Sequence, residues 1–337
     1  MIRIALLGAG RMGALHGRNA AANPRFDLAW IVDPAEALAE RLAAETGAKV
    51  TSLDDVLADP EVKGVIVASS TDAHLENTRQ CLAAGKAVFC EKPLSLFADE
   101  LEAVEAELTD PVQPPLLVAF NRRFDPHIGA LAKSLAGGEI GRLESLHIVN
   151  HDPATPSLDF IPRSGGLFRD FTIHDFDLAA WLMDQPIVEV FALAACLIDP
   201  KIAELGDVDT AKTILTAADG SFCVISNSRR TGYGYDQRLE AFGEKGALRV
   251  ENLRVDALTR WTEAGPRESE IPFAFPDRYG DAYRAELDHF ADAIEGKARP
   301  RAGFAESLAA IRLANAAQLS VERGAPVRLD EKGRFDV

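Results

Sequence analysis

The stretch "IRIALLGAGRMG" at residues 2–13 leaves few folds open to this chain. The uninterrupted apolar run Ile2 to Leu7 reads as a strand buried on both faces, and it leads straight into G-x-G-x-x-G and a helical stretch from about Met12. Strand, glycine turn and helix in this order form a phosphate-binding unit. Gly8 permits the tight turn, Gly10 lets the backbone approach a pyrophosphate, and Gly13 lets helix and strand pack closely. Arg11 and Met12 stand at the helix start, beside the expected phosphates. The next strand, "FDLAWIVD", ends in Asp33, 20 residues beyond Gly13, where an acid can hydrogen-bond ribose hydroxyls. Its charge would repel a 2′-phosphate, and Pro34 and Ala35 offer no arginine to hold one, so NAD is expected rather than NADP. A second role for Asp33, capping the helix "PAEALAERLAAE", is compatible with the first.

The rhythm continues through "VKGVIVASS" at 62–70, a helix from Ala73 to about Ala84, and "KAVFCEKP" at 86–93. Uniformly apolar strands alternating with helices indicate a doubly wound parallel sheet, whose ligands lie beyond the carboxyl ends of the strands. That places Ser69, Ser70, Thr71, Glu91 and Lys92 on the cofactor side. His74 is a candidate nicotinamide-side contact, and His16 is read as packing. Pro93 keeps Lys92 out of the following helix.

After "PLLVAFNRRF" at 115–124 the pattern changes to extended runs joined by hairpin signals at Asp219-Gly220 and Lys245-Gly246. The fold class expected is α/β followed by α+β: a Rossmann domain over 1–121, then a domain over 122–337 built on a large, open, mainly antiparallel sheet of about six strands. Helices at about 282–296 and 303–323 close the chain. So broad a sheet with few helices leaves a face to bury, which points to a homo-oligomer.

Against 36 lysines and arginines stand 52 aspartates and glutamates, a net charge of −16. No basic stripe is present to meet nucleic acid, so a small ligand is expected. The four cysteines are widely spaced and form no C-x-x-C pair, as buried thiols in a reducing compartment would be. No apolar run approaches the roughly 20 residues of a membrane span, and no charged segment precedes a signal-like core. The expectation is a cytoplasmic protein with no membrane partner.

One segment combines apolar character with chemistry. In "GGLFRDFTIHDFDLAAWLM" at 165–183, a regular helix sets Asp170, His174 and Asp177 on one face between greasy flanks. Such a stripe is costly to bury without a partner, whether another side chain, a metal or a ligand. The H-E-x-x-H pattern and supporting thiolates or histidines are missing, so no metal is expected.

"GAGRMG", "CEKP", "NRRFD" and the 165–183 stretch, in that order over nearly the full length, resemble the Gfo/Idh/MocA oxidoreductases. "NRRFD", "HDPATP" and "GYGYDQRLEAFGEKG" are similar to the inositol 2-dehydrogenase branch of that family. The resemblance implies a Rossmann domain followed by an open sheet that packs against a partner, usually in a tetramer. It implies NAD-linked oxidation of a ring secondary alcohol of a polyol or sugar, with Lys92, Asp170 and His174 as the catalytic groups. Arg122 would hold substrate hydroxyls, although relatives often carry methionine where Asn121 stands.

Alcohol oxidation needs a hydride acceptor against the carbinol carbon and a base near the hydroxyl proton. His174 suits the base. Asp170 either stabilises the imidazolium or accepts from a neighbouring hydroxyl, and Lys92 donates to the alcohol or ketone oxygen across a cleft between the domains. Arg122 and Arg123 otherwise read as a solvated basic pair. His151 and Asp152 either line the pocket or turn the chain, and Tyr233 or Tyr235 either stacks on the polyol or packs. Asp175 and Asp177 are assigned to structure. The leading expectation is oxidation of myo-inositol to its 2-keto form, with scyllo-inositol or an aldopyranose as alternatives. A non-catalytic nucleotide sensor is the competing class; loss of the lysine or histidine would signal it, and both are present.

Overall fold

The computed structural model describes residues 1–335 and divides the chain into two compact units, Met1–Phe124 with Asp281–Ile311, and Asp125–Gly280 with Arg312–Val337. The boundary expected after residue 121 therefore falls at 124, and 281–311, expected in the second domain, return to the first unit. Nothing in the local pattern of that segment says which core it joins.

The first unit alternates strands β1 (Ile2–Leu7), β2 (Phe26–Val32), β3 (Lys49–Val50), β4 (Gly64–Val67), β5 (Ala87–Cys90) and β6 (Leu116–Val118) with helices α1 (Arg11–Ala22), α2 (Glu36–Thr46), α3 (Leu53–Ala58), α4 (His74–Ala83) and α5 (Ala98–Leu108). All six strands are parallel, in the order β3-β2-β1-β4-β5-β6. That order reverses direction between β1 and β4, where a doubly wound sheet opens its ligand crevice. β4 and β5 are buried at every position, as strands covered on both faces must be. Phe290, on the returning helix, packs against Phe89 and Phe26 and beneath Gly64, where a Cβ would lie 3.1 Å from its ring.

The second unit contains α6 (Pro126–Ala136), β7 (Leu143–His151), α7 (Ile161–Ser164), α8 (Ile173–Met183), β8 (Ile187–Ala195), α9 (Pro200–Glu204), β9 (Thr210–Ala217), β10 (Phe222–Ser228), β11 (Asp236–Gly243), β12 (Gly246–Val250), β13 (Thr259–Thr262), β14 (Gly265–Glu268) and α10 (Phe275–Arg278). Then follow α11 (Gly280–Ile294), most of which is the returning segment, α12 (Phe304–Arg323) and β15 (Val327–Arg328). Seven strands rather than about six form its main sheet, in the order β12-β11-β7-β10-β9-β8-β15, and β13-β14 make a separate ribbon. Only β7 and β10 pair in parallel, and both hairpin signals are used. Alternation separates the faces: Ala211, Thr213 and Leu215 are buried, while Ile214 and the neighbouring Leu193, Phe222 and Phe242 are exposed on the other side.

The aspartate of "NRRFD" anchors α6. Asp125 accepts from the backbone N–H of His127 and Ile128, both at 3.0 Å, with Pro126 at the first helical position. Its other oxygen meets the buried Arg278 guanidinium at 2.5 Å. The four cysteines are free, and burial pushes the Cys81 thiol up to about 12. Among the described residues no helix is long and apolar enough to cross a membrane.

Two stability predictions follow from buried charge. Asp125→Ala removes a cap and strands Arg278, so urea melts should show a loss of about 3–5 kcal/mol; Asp125→Asn, which keeps an acceptor for the cap, should lose less. Glu286 on α11 is fully buried, its carboxyl oxygens have no hydrogen-bond partner among the described residues, and burial together with the Glu91 charge raises it well above its ordinary 4.5. The folded chain then holds that proton more tightly than the unfolded chain, so stability falls as pH rises from about 4.5 through the folded value. Glu286→Gln should be the more stable protein at pH 8 in the same melts, with the gap closing toward pH 4; equal gaps at both would contradict the assignment.

Candidate active site

The glycine loop after β1 is shaped by backbone contacts. Gly8 has φ +99°, and a Cβ there would lie 2.3 Å from the Ala68 carbonyl oxygen at the end of β4. A Cβ on Gly13 would lie 1.9 Å from the Gly8 carbonyl oxygen, so neither position can carry a side chain. Gly10 is different: a Cβ there meets nothing within 4 Å. It caps α1, whose first turn has no side-chain cap and no acid, leaving a positive helix end beside an open approach. Arg11 is exposed and Met12 half-buried at that end.

Asp33 is braced against the same loop. One carboxylate oxygen accepts from the Ala9 N–H at 2.6 Å and the other from the Ala35 N–H at 2.7 Å; the helix cap expected of Asp33 is not formed, because α2 begins at Glu36 with Ala35 at its N-cap position and no side-chain cap. A carboxylate offers about four acceptor positions, which leaves capacity for ribose hydroxyls. The open flank of Gly10, the uncapped helix end and Asp33 fit a dinucleotide with an unmodified ribose: Gly8, Gly10, Arg11, Met12 and Gly13 would line the pyrophosphate.

At the ends of β4 and β5, Ser69 is half-buried and accepts from the Asn77 side-chain amide at 3.1 Å; Ser70 is exposed and Thr71 half-buried. His74 is buried, with Nδ1 2.8 Å from the Pro93 carbonyl and Nε2 3.2 Å from the Ser69 carbonyl. Both ring nitrogens of this candidate nicotinamide-side contact are turned to backbone carbonyls, and the imidazole ties the β4 end to the loop carrying Lys92. Glu91 is also buried: Oε1 lies 2.6 Å from His16 Nε2, and Oε2 accepts from the Lys92 N–H at 3.2 Å. Burial alone would raise this carboxyl, but the His16 hydrogen bond and the charges of His16 and Lys92 hold it below the usual carboxylate range. His16, read from sequence as packing, is thus the partner of the acid beside Lys92. Lys92 is half-buried and precedes a cis proline bond. Arg122 and Arg123, in the turn Asn121–Phe124, are both buried rather than solvated; Arg123 donates to the Arg301 carbonyl at 2.7 Å.

The 165–183 stretch departs from a single regular helix. After Gly165 and Gly166, both with positive φ, residues Phe168–Thr172 form a π-helical turn, and only then does α8 begin. The local cause lies far along the chain. Asp207 accepts from the Leu167 N–H at 2.9 Å, and a Cβ on Gly166 would sit 2.9 Å from the same carboxylate oxygen, so Asp207 anchors the start of the turn. π-turns of this kind recur at functional sites.

The polar stripe is split accordingly. Asp175 is fully buried and accepts from the Asn150 amide at 2.9 Å and the Asn227 amide at 2.8 Å, while Thr172 donates to Asn227 at 2.9 Å. Asp177 is buried as well, whereas Asp170 and His174 stay partly accessible on the π–α junction. Asp170 lies 3.6 Å from the buried Arg229 guanidinium.

The other candidates fall on two faces of the second sheet. Tyr235 is buried on the helix-covered side, donates to Asn150 at 3.3 Å and meets Tyr279 edge-on. His151 follows Asn150 on β7 and so points to the opposite face, where its Nε2 is 3.0 Å from Ser226 and its Nδ1 3.7 Å from Asp236. Tyr233 is exposed and donates to Asp236 at 2.8 Å, so His151 and Tyr233 share that acid. Burial holds the His151 imidazole below its ordinary value despite Asp236. Among the described residues no three His, Cys, Asp or Glu side chains converge to hold a metal.

Comparison with known proteins agrees with this architecture. Residues 2–110 match the model of an oxidoreductase family with an NAD-binding Rossmann fold, and 128–249 match the GFO/IDH/MocA C-terminal domain. The chain is 41% identical over 320 residues to an inositol 2-dehydrogenase of Rhizobium meliloti (strain 1021), covering 95% of this chain and 97% of that protein. A crystal structure of a myo-inositol dehydrogenase from Corynebacterium glutamicum superposes with a TM-score of 0.92 at 38% identity, covering 98% and 99% of the two chains. A scyllo-inositol dehydrogenase from Lactobacillus casei, solved with bound NAD(H) and scyllo-inositol, superposes at 0.88 with 26% identity, covering 97% and 98%. With both of its units matched, the chain belongs to the Gfo/Idh/MocA family of oxidoreductases.

Proposed function

We propose that this chain oxidises one ring hydroxyl of an inositol, with myo-inositol giving the 2-keto product and NAD as the partner. The observation that carries the reading is the split of the polar stripe: Asp175 and Asp177 are buried, and Asp170 and His174 are left accessible in a chain akin to inositol dehydrogenases. When bound, the nicotinamide accepts hydride from the carbinol carbon. His174 takes the hydroxyl proton; its Nδ1 is buried, which leaves Nε2 for that role. Asp170 stabilises the imidazolium or accepts from the adjacent hydroxyl. Lys92, set by the Glu91–His16 pair, donates to the oxygen that becomes the ketone. Arg122 and Tyr235 are the polyol contacts best supported by burial; His151 and Tyr233, which share Asp236 on the opposite sheet face, are assigned no contact with the ring.

The open face of the second sheet, with Leu193, Ile214, Phe222 and Phe242 exposed, is assigned to contact with another copy, in a tetramer. Free cysteines fit a reducing, cytoplasmic setting.

Initial rates with NAD and NADP on myo- and scyllo-inositol, glucose and xylose test the reading. NADH formation from myo-inositol is expected; faster turnover of scyllo-inositol or a sugar would move the substrate, and no turnover of any polyol would favour a nucleotide sensor. His174→Ala and Lys92→Ala should each lower kcat by about 10²-fold or more. Asp33→Asn should raise the NADP to NAD ratio of kcat/KM by about tenfold, the effect of one hydrogen bond and one repulsion. Light scattering on the purified chain should give the tetramer mass; a monomer at micromolar concentration would remove the interface assignment.

A further inference from the structure

Arg229, just beyond β10, is among the largest fully buried side chains, at 1% exposure. A guanidinium taken out of water is costly unless anions meet it. Here two do: Nη1 lies 3.6 Å from an oxygen of Asp170, and Nη2 lies 3.6 Å from an oxygen of Asp207. The Phe171 ring, next to Asp170, lies 5.9 Å from the guanidinium carbon. Its Nε and Nη2 make no hydrogen bond to the described residues, and neither does Asp207 Oδ2. The cation is therefore held by charge between two acids and is not locked into a bidentate fork. Its backbone is fixed, since the Arg229 N–H donates to the Asp209 carbonyl at 2.9 Å. Asp207 meanwhile holds the Leu167 N–H and with it the start of the π-turn that carries Asp170.

We infer that Arg229 is a positioning residue for the oxidation, setting the Asp170 carboxylate toward substrate and His174 while Asp207 balances the remaining charge and pins the turn. The inference rests on the catalytic reading of Asp170 given above. Arg229 itself needs no contact with substrate, because it acts on Asp170 from the buried side. Removing it would leave Asp170 and Asp207 facing each other without a cation. Misplacement of a reacting group by about 1 Å can cost about 10²-fold in rate, the scale expected here.

A double-mutant cycle on the full-length chain with NAD and myo-inositol tests this, with melting temperature and NAD binding measured beside kcat and KM. R229M should lower kcat about 10²-fold in the wild-type background with little change in NAD affinity, and about threefold or less in a D170N background. Equal losses in both backgrounds, or an R229M enzyme within threefold of wild type, would overturn the inference while leaving Asp170 catalytic. A D170N enzyme with normal kcat would overturn both it and the reading beneath it. Should R229M fail to fold, R229K and R229Q decide: the charged variant should recover at least tenfold in kcat over the neutral one, and equal rates would refute the role.

Discussion

The buried Asp175 carboxylate fixes the segment to which the proposed chemistry is assigned. Held by the amides of Asn150 on β7 and Asn227 at the end of β10, it fastens the helix of the second unit to the middle of its sheet. An unpaired carboxylate at zero exposure would be strongly destabilising, so the two asparagines and the helix register are mutually dependent. With Asp175 directed to the sheet, the π-turn before it sets the direction in which Asp170 and His174 project. One acid is consumed in structure so that its neighbours on the same segment remain accessible.

The first unit solves a different problem by excluding side chains. Gly8 and Gly13 are required because backbone already occupies the space of their Cβ atoms, whereas Gly10 leaves its space open. Asp33 braces this loop with two backbone hydrogen bonds and keeps acceptor capacity. The same economy recurs around Lys92, where His74 ties two strand ends and the Glu91–His16 pair holds the neighbouring acid. In each case hydrogen bonds to fixed groups hold a loop in place, the kind of preorganisation that electrostatic catalysis uses.

What could be read from the sequence was what depends on residues close together. The strand–glycine–helix motif, Asp33 at its fixed spacing, the apolar strand runs and the hairpin signals all express local sterics or periodicity, and the parallel sheet and the large second sheet follow from them. What escaped depends on residues far apart. The π-turn is anchored by Asp207, some forty positions from Leu167, so no helical periodicity reveals it. His16 looks like packing until Glu91, 75 positions away, arrives at its Nε2. The return of 281–311 to the first unit is likewise a tertiary outcome.

On the proposed mechanism, Asp170 and His174 face the reacting ring hydroxyl. A crystal structure of this chain with NAD(H) and myo-inositol tests it most directly. His174 Nε2 is expected within about 3 Å of a ring hydroxyl oxygen, the reach a general base requires, with Asp170 against the imidazole or the adjacent hydroxyl. Inositol bound with both side chains beyond hydrogen-bond reach of the ring would contradict it.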